Sequence, residues 1–284
     1  MIRSIAHLGP AGTYAEVAAL TWANQLTAQQ SSPITLCAYP TIASTLHATH
    51  GGETDLTIVP VENSLEGSVP MTLDTLWQLD SLQIQHALIM PITHALISHA
   101  ENLDQVQRIY SHPQALGQCQ GWLGTYLPMV QIIPTHSTTE ALEHLNEDTQ
   151  VGIIASQRAS YLYNVPILRY PINDSPDNCT KFWVVGLQCS PGGSHTSLAF
   201  SLQANVPGAL VKPLQIFAEQ GINMSRIESR PTKRSLGDYL FFIDLESNGL
   251  DPNVESTLRA LGNYTEVIKV FGSYNTCTIH PPSL

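Results

Sequence analysis

The sequence predicts an α/β protein that ends in a βαββαβ unit of ferredoxin-like order. Three observations predict it. Up to residue 188, apolar strand-like runs alternate with helical ones, the signature of a mainly parallel sheet system. Cys189-Ser-Pro-Gly-Gly-Ser-His195 then breaks the pattern, and its Pro and Gly favour an extended, solvated linker. Beyond it the order becomes strand, helix, strand, strand, helix, strand. A chain of 284 residues agrees with at least two domains at roughly 100–200 residues each.

The elements follow in order. Ile2–Leu8 reads as a strand ending in the turn Gly9-Pro-Ala-Gly-Thr13, with a helix from Tyr14 to Gln25. Ile34–Tyr39 is a strand and Thr41–His47 a short helix. Asp55–Val59 is a strand running into Pro60-Val-Glu-Asn-Ser64. Ser68 is a candidate cap for a helix near 70–78. Leu82–Ser98 is long and partly alternating, a strand or pair of strands crossing between lobes. Arg108–His112 is a strand, and Pro113 suits the first position of a helix through Leu123. Ser137-Thr-Thr-Glu140 forms a capping box for the next helix. Val151–Ala155 is a strand, and Ser156 caps a helix through Tyr163. A buried strand begins at Phe182. After the linker come strand 197–204, a helix carrying Leu210, Leu214 and Phe217 on one face and stopped by Gly221, strands 223–230 and Tyr239–Leu245, helix Asn253–Leu261 and strand Val267–Tyr274.

Composition excludes several classes. Hydrophobic residues make up 43 %, enough for ordinary cores. Charged residues are 12 % and the net charge is −11, which argues against a basic nucleic-acid face. Such a field does not attract anions, so an anion site must be built locally from a few cations and backbone N–H groups. No run of about 18 apolar residues spans a bilayer, and the N-terminus lacks the pattern of a secretory signal. Five scattered cysteines with no Cys-x-x-Cys pair point to reduced thiols and a cytoplasmic protein, not to a disulfide or zinc framework.

Four strand ends carry polar clusters, and ligands of open α/β sheets bind outside such ends. Gly9-Pro-Ala-Gly-Thr-Tyr14 joins a strand to a helix N-terminus, which suits an anion or is a plain turn; it is neither a P-loop nor a dinucleotide fingerprint. Pro60–Val69 gathers two carboxylates, an amide and two hydroxyls, more than one cap requires. In Ser111-His-Pro-Gln-Ala-Leu116, His112 is either an acid–base group or a loop histidine. Asn173–Phe182 ends in Thr180-Lys181, and Lys181 is one of five cations before the linker: a carboxylate partner or an exposed turn lysine.

Together these segments resemble prephenate dehydratase. Gly9-Pro-Ala-Gly-Thr-Tyr-Ala-Glu16, Val61-Glu-Asn-Ser-Leu-Glu-Gly-Ser68, His112-Pro-Gln-Ala-Leu116 and Asp177-Asn-Cys-Thr-Lys-Phe182 look like that family's motifs, with Lys181 where the family carries arginine. Gly208-Ala-Leu210 and Ile227-Glu-Ser-Arg-Pro231 look like the phenylalanine-binding motifs of its ACT regulatory domain. The resemblance implies a two-lobed catalytic region over 1–188, similar to type 2 periplasmic binding proteins, with one lobe at about 1–77 and 168–188 and the other at about 80–165. An ACT domain follows over 196–284. It implies the monofunctional form, since no chorismate-mutase segment precedes residue 1.

The implied reaction converts prephenate to phenylpyruvate without metal or organic cofactor, in a homodimer or homotetramer inhibited by L-phenylalanine between ACT domains. Thr180 is implied as catalytic. A threonine hydroxyl is a very weak acid, so it is read as a positioned donor in a relay. Thr13, Tyr14, Glu62, Asn63, Ser64, Gly67, His112, Gln114, Ala115, Asn178, Lys181 and Phe182 are implied at the substrate. Gly208, Ala209, Leu210, Asn223, Glu228, Ser229, Arg230 and Pro231 are implied at the effector, Glu228 taking its ammonium and Ser229 and Arg230 shaping a turn. Two other readings stay open: an arogenate dehydratase, because lysine is a point charge where arginine is a bidentate fork, and a non-catalytic amino-acid-sensing binding protein.

Overall fold

The protein is described by a computed structural model over residues 1–135, 141, 142, 145 and 148–281. The capping box expected at Ser137–Glu140 lies outside the described residues. In chain order the first half comprises β1 (Ser4–Leu8), α1 (Tyr14–Gln30), β2 (Thr35–Tyr39), α2 (Ile42–His50), β3 (Leu56–Asn63), β4 (Gly67–Ser68), α3 (Pro70–Gln78), β5 (Gln83–Pro91) and β6 (Ala95–Ser98). Next come β7 (Arg108–Ser111), α4 (Pro113–Gly117), α5 (Gln120–Tyr126), β8 (Gln131–Pro134), β9 (Val151–Ala155), α6 (Gln157–Tyr163), β10 (Ile167–Arg169) and β11 (Cys179–Gly186). The C-terminal part adds β12 (His195–Leu202), α7 (Val211–Glu219), β13 (Met224–Pro231), β14 (Tyr239–Leu245), α8 (Pro252–Leu261) and β15 (Thr265–Thr278).

These strands form two sheets. The larger runs β13-β14-β12-β15-β5-β11-β3-β1-β2, with β4 paired to β3; the smaller runs β10-β6-β9-β7-β8. Strands β1, β2 and β3 are parallel to one another, as are β7, β8 and β9. Among the strands before residue 188, the expectation of mainly parallel sheets stops there. Strand β11 is antiparallel to both β3 and β5, and β6 to both β9 and β10. These are strands by which the chain passes between the sheets. It does so without a helical crossover, and parallel neighbours need one.

Sheet membership also departs from the expected lobe limits. Strand β5 belongs to the large sheet although it follows residue 80, and β10 belongs to the small one although it reaches Arg169. The long run at 82–98 is two strands, one in each sheet. The single helix expected from Pro113 to Leu123 is also two. The N–H groups of Gly121 and Trp122 turn to the Asp174 carboxylate (2.8 and 2.7 Å), and the Asp174 N–H takes the Gln118 carbonyl (2.9 Å). Ser68 does not cap α3; Val69 occupies that position with Pro70 behind it.

The βαββαβ order after residue 195 holds, but the unit is not set apart. Strand β15 is longer than expected. Its first part pairs with β12, and Asn275–Thr278 run parallel to β5 in the large sheet. Ile279, 1 % exposed, packs with Ile5, Phe182 and Val184. A second core joins Val61, Leu73 and Trp183 to Leu240, Phe242 and Phe271. The expected solvated linker is packed in part, with Gly192 buried while Cys189, Pro191 and Ser194 stay exposed. A Cβ at Gly193 would lie 2.2 Å from the Tyr274 carbonyl carbon, so only glycine lets the two backbones approach there. No helix among the described residues is long and apolar enough to cross a membrane.

Candidate active site

Strand ends of the two sheets meet around a cleft of about 410 Å³, in the range of small-molecule sites. The Gly9–Tyr14 turn forms one wall. Thr13 caps α1, accepting from the Glu16 N–H at 3.3 Å, and the first turn of the 17-residue helix opens towards the cleft. The turn is tied across to α6: Ser156 Oγ donates to the Gly12 carbonyl (2.6 Å), and Arg158 pairs with Glu16 (3.2 Å). The opposite wall holds Ser111, His112, Gln114 and Ala115 at the start of α4, where His112 Nδ1 accepts from the Gln114 N–H (3.3 Å).

The floor comes from β3 and β11. Asn63 ends β3 with its orientation fixed, because the N–H groups of Leu65 and Glu66 donate to Oδ1 at 3.0 and 3.1 Å. Its Nδ2 therefore faces β11 and donates to Thr180 Oγ1 (3.0 Å) and Asn178 Oδ1 (2.8 Å). This bond occupies a lone pair of the Thr180 hydroxyl and leaves its O–H for an acceptor in the cleft. Phe182 follows on the same face of β11 and also borders the cleft.

Of the residues implied at the substrate, Thr13, Tyr14, Asn63, His112, Gln114, Ala115 and Phe182 line this cleft together with Thr180; five do not. Ser64 braces the loop from behind, its Oγ accepting from the Cys179 N–H (3.0 Å). Asn178, 1 % exposed, lies beneath the floor. Glu62 and Gly67 pair with Ser68 and Asn63 in the β3–β4 hairpin. Lys181 is the largest correction. Successive residues of a strand face opposite sides, so Lys181 turns away from Thr180 and binds Asp244 Oδ2 of β14 at 2.9 Å. Arg226 of β13 grips the same carboxylate through Nε and Nη2 (3.0 and 3.2 Å). Ser197 Oγ donates to it at 2.5 Å. Among the described residues lining the cleft there is no Lys, Arg, Asp or Glu.

Two residues unmarked in the sequence complete the site. His94, just beyond β5, is 2 % exposed; Gln118, between α4 and α5, is 8 % exposed. His94 Nε2 lies 2.8 Å from Gln118 Oε1, and Asn178 Nδ2 donates to that oxygen at 2.9 Å. A chain of amides thus links His94 to Asn63 and Thr180. Burial pushes the Tyr14 hydroxyl well above its ordinary range and His94 below its own.

The residues implied at the effector sit in the C-terminal unit. Gly208 has φ +80° in the turn before α7, flanked by Ala209 and Leu210. The Ile227–Pro231 motif is a strand paired with β14, not a turn. Arg230 forks onto Asp74 of α3 (3.1 Å twice). Glu228 lies 3.8 Å from the Arg226 guanidinium, Ser229 is on the other face, and Asn223 donates to Glu246 (2.7 Å).

An α/β cleft floored by an oriented threonine, walled by a helix N-terminus and sharing its sheet with a ferredoxin-like unit defines the class: a two-sheet α/β protein with a small-molecule cleft, joined to a ferredoxin-like unit. Residues 5–190 match the family model for prephenate dehydratase, and residues 196–263 match that for the ACT domain. The chain is 40 % identical over 272 residues to the bifunctional chorismate mutase/prephenate dehydratase of Aquifex aeolicus, covering 95 % of this chain and 73 % of that protein. It is 32 % identical over 283 residues to the prephenate dehydratase of Lactococcus lactis subsp. cremoris, covering 97 % and 98 %. The crystal structure of prephenate dehydratase from Arthrobacter aurescens in complex with L-Phe superposes with a TM-score of 0.84 at 31 % identity, covering 96 % and 90 %. The chain belongs to the prephenate dehydratase family.

Proposed function

We propose that this chain converts prephenate to phenylpyruvate, with Thr180 as the group that assists the departing hydroxyl. The observation that carries the reading is the Thr180 hydroxyl, oriented by Asn63 at 3.0 Å on the floor of the cleft. In the reaction the ring carboxylate leaves as CO2 and the electrons of its C–C bond enter the ring. The para C–O bond breaks, and the oxygen takes a proton and departs as water. Hydroxide alone is a poor leaving group, so a donor aimed at this oxygen lowers the barrier. The substrate carboxylates meet N–H groups of the first turn of α1 and the Gln114 amide. Lys181 is not among these donors. The test is phenylpyruvate formation from prephenate, with arogenate as competitor. Activity on arogenate alone, or on neither, overturns this reading.

The family membership and the L-Phe complex of the Arthrobacter relative support L-phenylalanine as inhibitor, bound between ACT domains of a homodimer or homotetramer. Five unpaired cysteines suit a cytoplasmic site of action. At the Gly208 turn, a positive φ of +80° is unfavourable for a β-branched residue. Gly208→Val is expected to raise the inhibition constant for L-phenylalanine at least tenfold, about 1.4 kcal/mol, with uninhibited turnover within twofold of native. Inhibition curves and calorimetric titration check it; unchanged affinity removes the turn from the effector site.

A further inference from the structure

The hydrogen-bond chain that ends at His94 is one hydrogen short. Its polarity is fixed from one end by the backbone. The Leu65 and Glu66 N–H groups can only donate, so the Asn63 atom they meet is Oδ1, and Nδ2 points to Asn178. Asn178 then presents Oδ1 to Asn63 and Nδ2 to Gln118, so the Gln118 atom at 2.9 Å is Oε1. The same oxygen faces His94 Nε2 at 2.8 Å, and Nε2 must carry a hydrogen. At the far side His94 Nδ1 is 2.8 Å from the Tyr14 hydroxyl, which is also 2.7 Å from the Thr93 carbonyl. A carbonyl only accepts. With neutral His94, the single Tyr14 proton serves either Thr93 or Nδ1, and the other short contact has no hydrogen. A proton on Nδ1 fills both: Nδ1–H donates to Tyr14, and Tyr14 donates to Thr93.

We propose that His94 takes up this proton when an anionic substrate enters the cleft, so that binding charges the imidazole and supplies the cation the lining otherwise lacks. The proposal rests on the dehydratase reading, in which the substrate is a dianion. His94 borders the cleft, and the only other histidine among the described lining residues is the exposed His112. The groups facing His94 do not charge it beforehand. Tyr14 comes from α1. Tyr170 stands 2.9 Å from Thr93 Oγ1. Glu66 is reached only through Gln118 Nε2 (3.4 Å). Cys119 is a buried thiol pushed up to about 12 by burial, with Asp174 adding to the shift. The Asp174 carboxylate is held by the α5 N–H groups, and Asn173 Oδ1 takes the His94 N–H (3.2 Å). Burial keeps His94 below the ordinary histidine value, so it is neutral in the empty cleft at pH 7, and an entering dianion raises it. Affinity should then fall as pH rises through the value His94 has in the complex.

The experiment is calorimetric binding of prephenate to the full-length Thr180→Ala chain, in buffers of different ionisation enthalpy near pH 7.5. The expected result is uptake of about one proton per site, abolished by adding His94→Gln and retained with His112→Gln. In the wild-type enzyme, KM should climb up to tenfold per pH unit on the alkaline side, and this limb should flatten in His94→Gln. Nitrogen NMR of labelled histidine in the Thr180→Ala chain gives a readout without a His94 variant: Nδ1 should change from a lone-pair to an N–H nitrogen when prephenate is added. Wild-type turnover of prephenate with no proton uptake, or uptake that survives His94→Gln, overturns the proposal. Absence of phenylpyruvate formation by the wild-type chain strikes the dehydratase reading instead.

Discussion

Thr180→Ala is expected to lower kcat by about 10²–10⁴-fold, the usual contribution of a positioned proton donor, while KM moves by only a few-fold. The geometry separates this loss from a loss of fold. Removing Oγ1 takes one acceptor from Asn63 Nδ2, but Asn178 Oδ1 (2.8 Å) and the Cys179 carbonyl (3.2 Å) remain to receive its hydrogens. No buried donor is orphaned, which is the usual source of a large stability cost. The melting temperature should therefore stay within a few degrees of native. Thr180→Ser, which keeps the hydroxyl against Asn63, should recover most of the rate. Single-turnover measurements of phenylpyruvate formation check both variants. An alanine variant with near-native kcat removes Thr180 from the chemistry.

Much of this site was legible in the sequence because strand ends were marked by polar clusters. Thr13 and Tyr14, Asn63, His112 and Gln114, and Thr180 are drawn from four such segments, and all border one cleft. Lys181 departs from the place the resemblance implies because neighbouring residues of a strand face opposite sides. A strand read from Phe182 puts Thr180 and Lys181 in a loop, where alternation does not apply. The strand in fact begins at Cys179, and its period of two sends Lys181 to the opposite face. His94 and Gln118 carried weaker marks. His94 sits in an apolar run, and its signal was position alone, just past the carboxyl end of a strand. Gln118 was hidden inside a presumed helix that breaks at that point. The fold class was written in the alternation of strands and helices. The stitching of the two units by β15 was not, because a strand serving two sheet regions in turn has no local signature.

Asp244→Asn is expected to destabilise the protein by about 3–5 kcal/mol, the range for removing one partner from a buried ionic cluster. Asp244 is fully buried, and Lys181 and Arg226 are 14 % and 7 % exposed in their side chains. Burial pushes its carboxyl up, but Arg226 and Lys181 together outweigh that and hold it at about 2. Neutralising it leaves two cations facing each other across an amide. Arg226 also lies over the Trp183 ring at 5.5 Å and reaches Ser68 at 3.4 Å, so the damage falls where the ACT unit meets β4 and β11. The pH dependence has a definite sign. A carboxylate depressed in the folded state stabilises fully above its unfolded value near 4, and this contribution disappears as pH falls towards 2. In the wild type that acid limb should amount to about 2 kcal/mol; in Asp244→Asn it should be absent. Urea unfolding between pH 7 and pH 2 measures both effects. A triple variant, Lys181→Met, Arg226→Met and Asp244→Leu, should regain most of the lost stability, because it removes the charges together instead of stranding two of them. If the single variant costs under 1 kcal/mol, the cluster is solvated and does not hold the two units together.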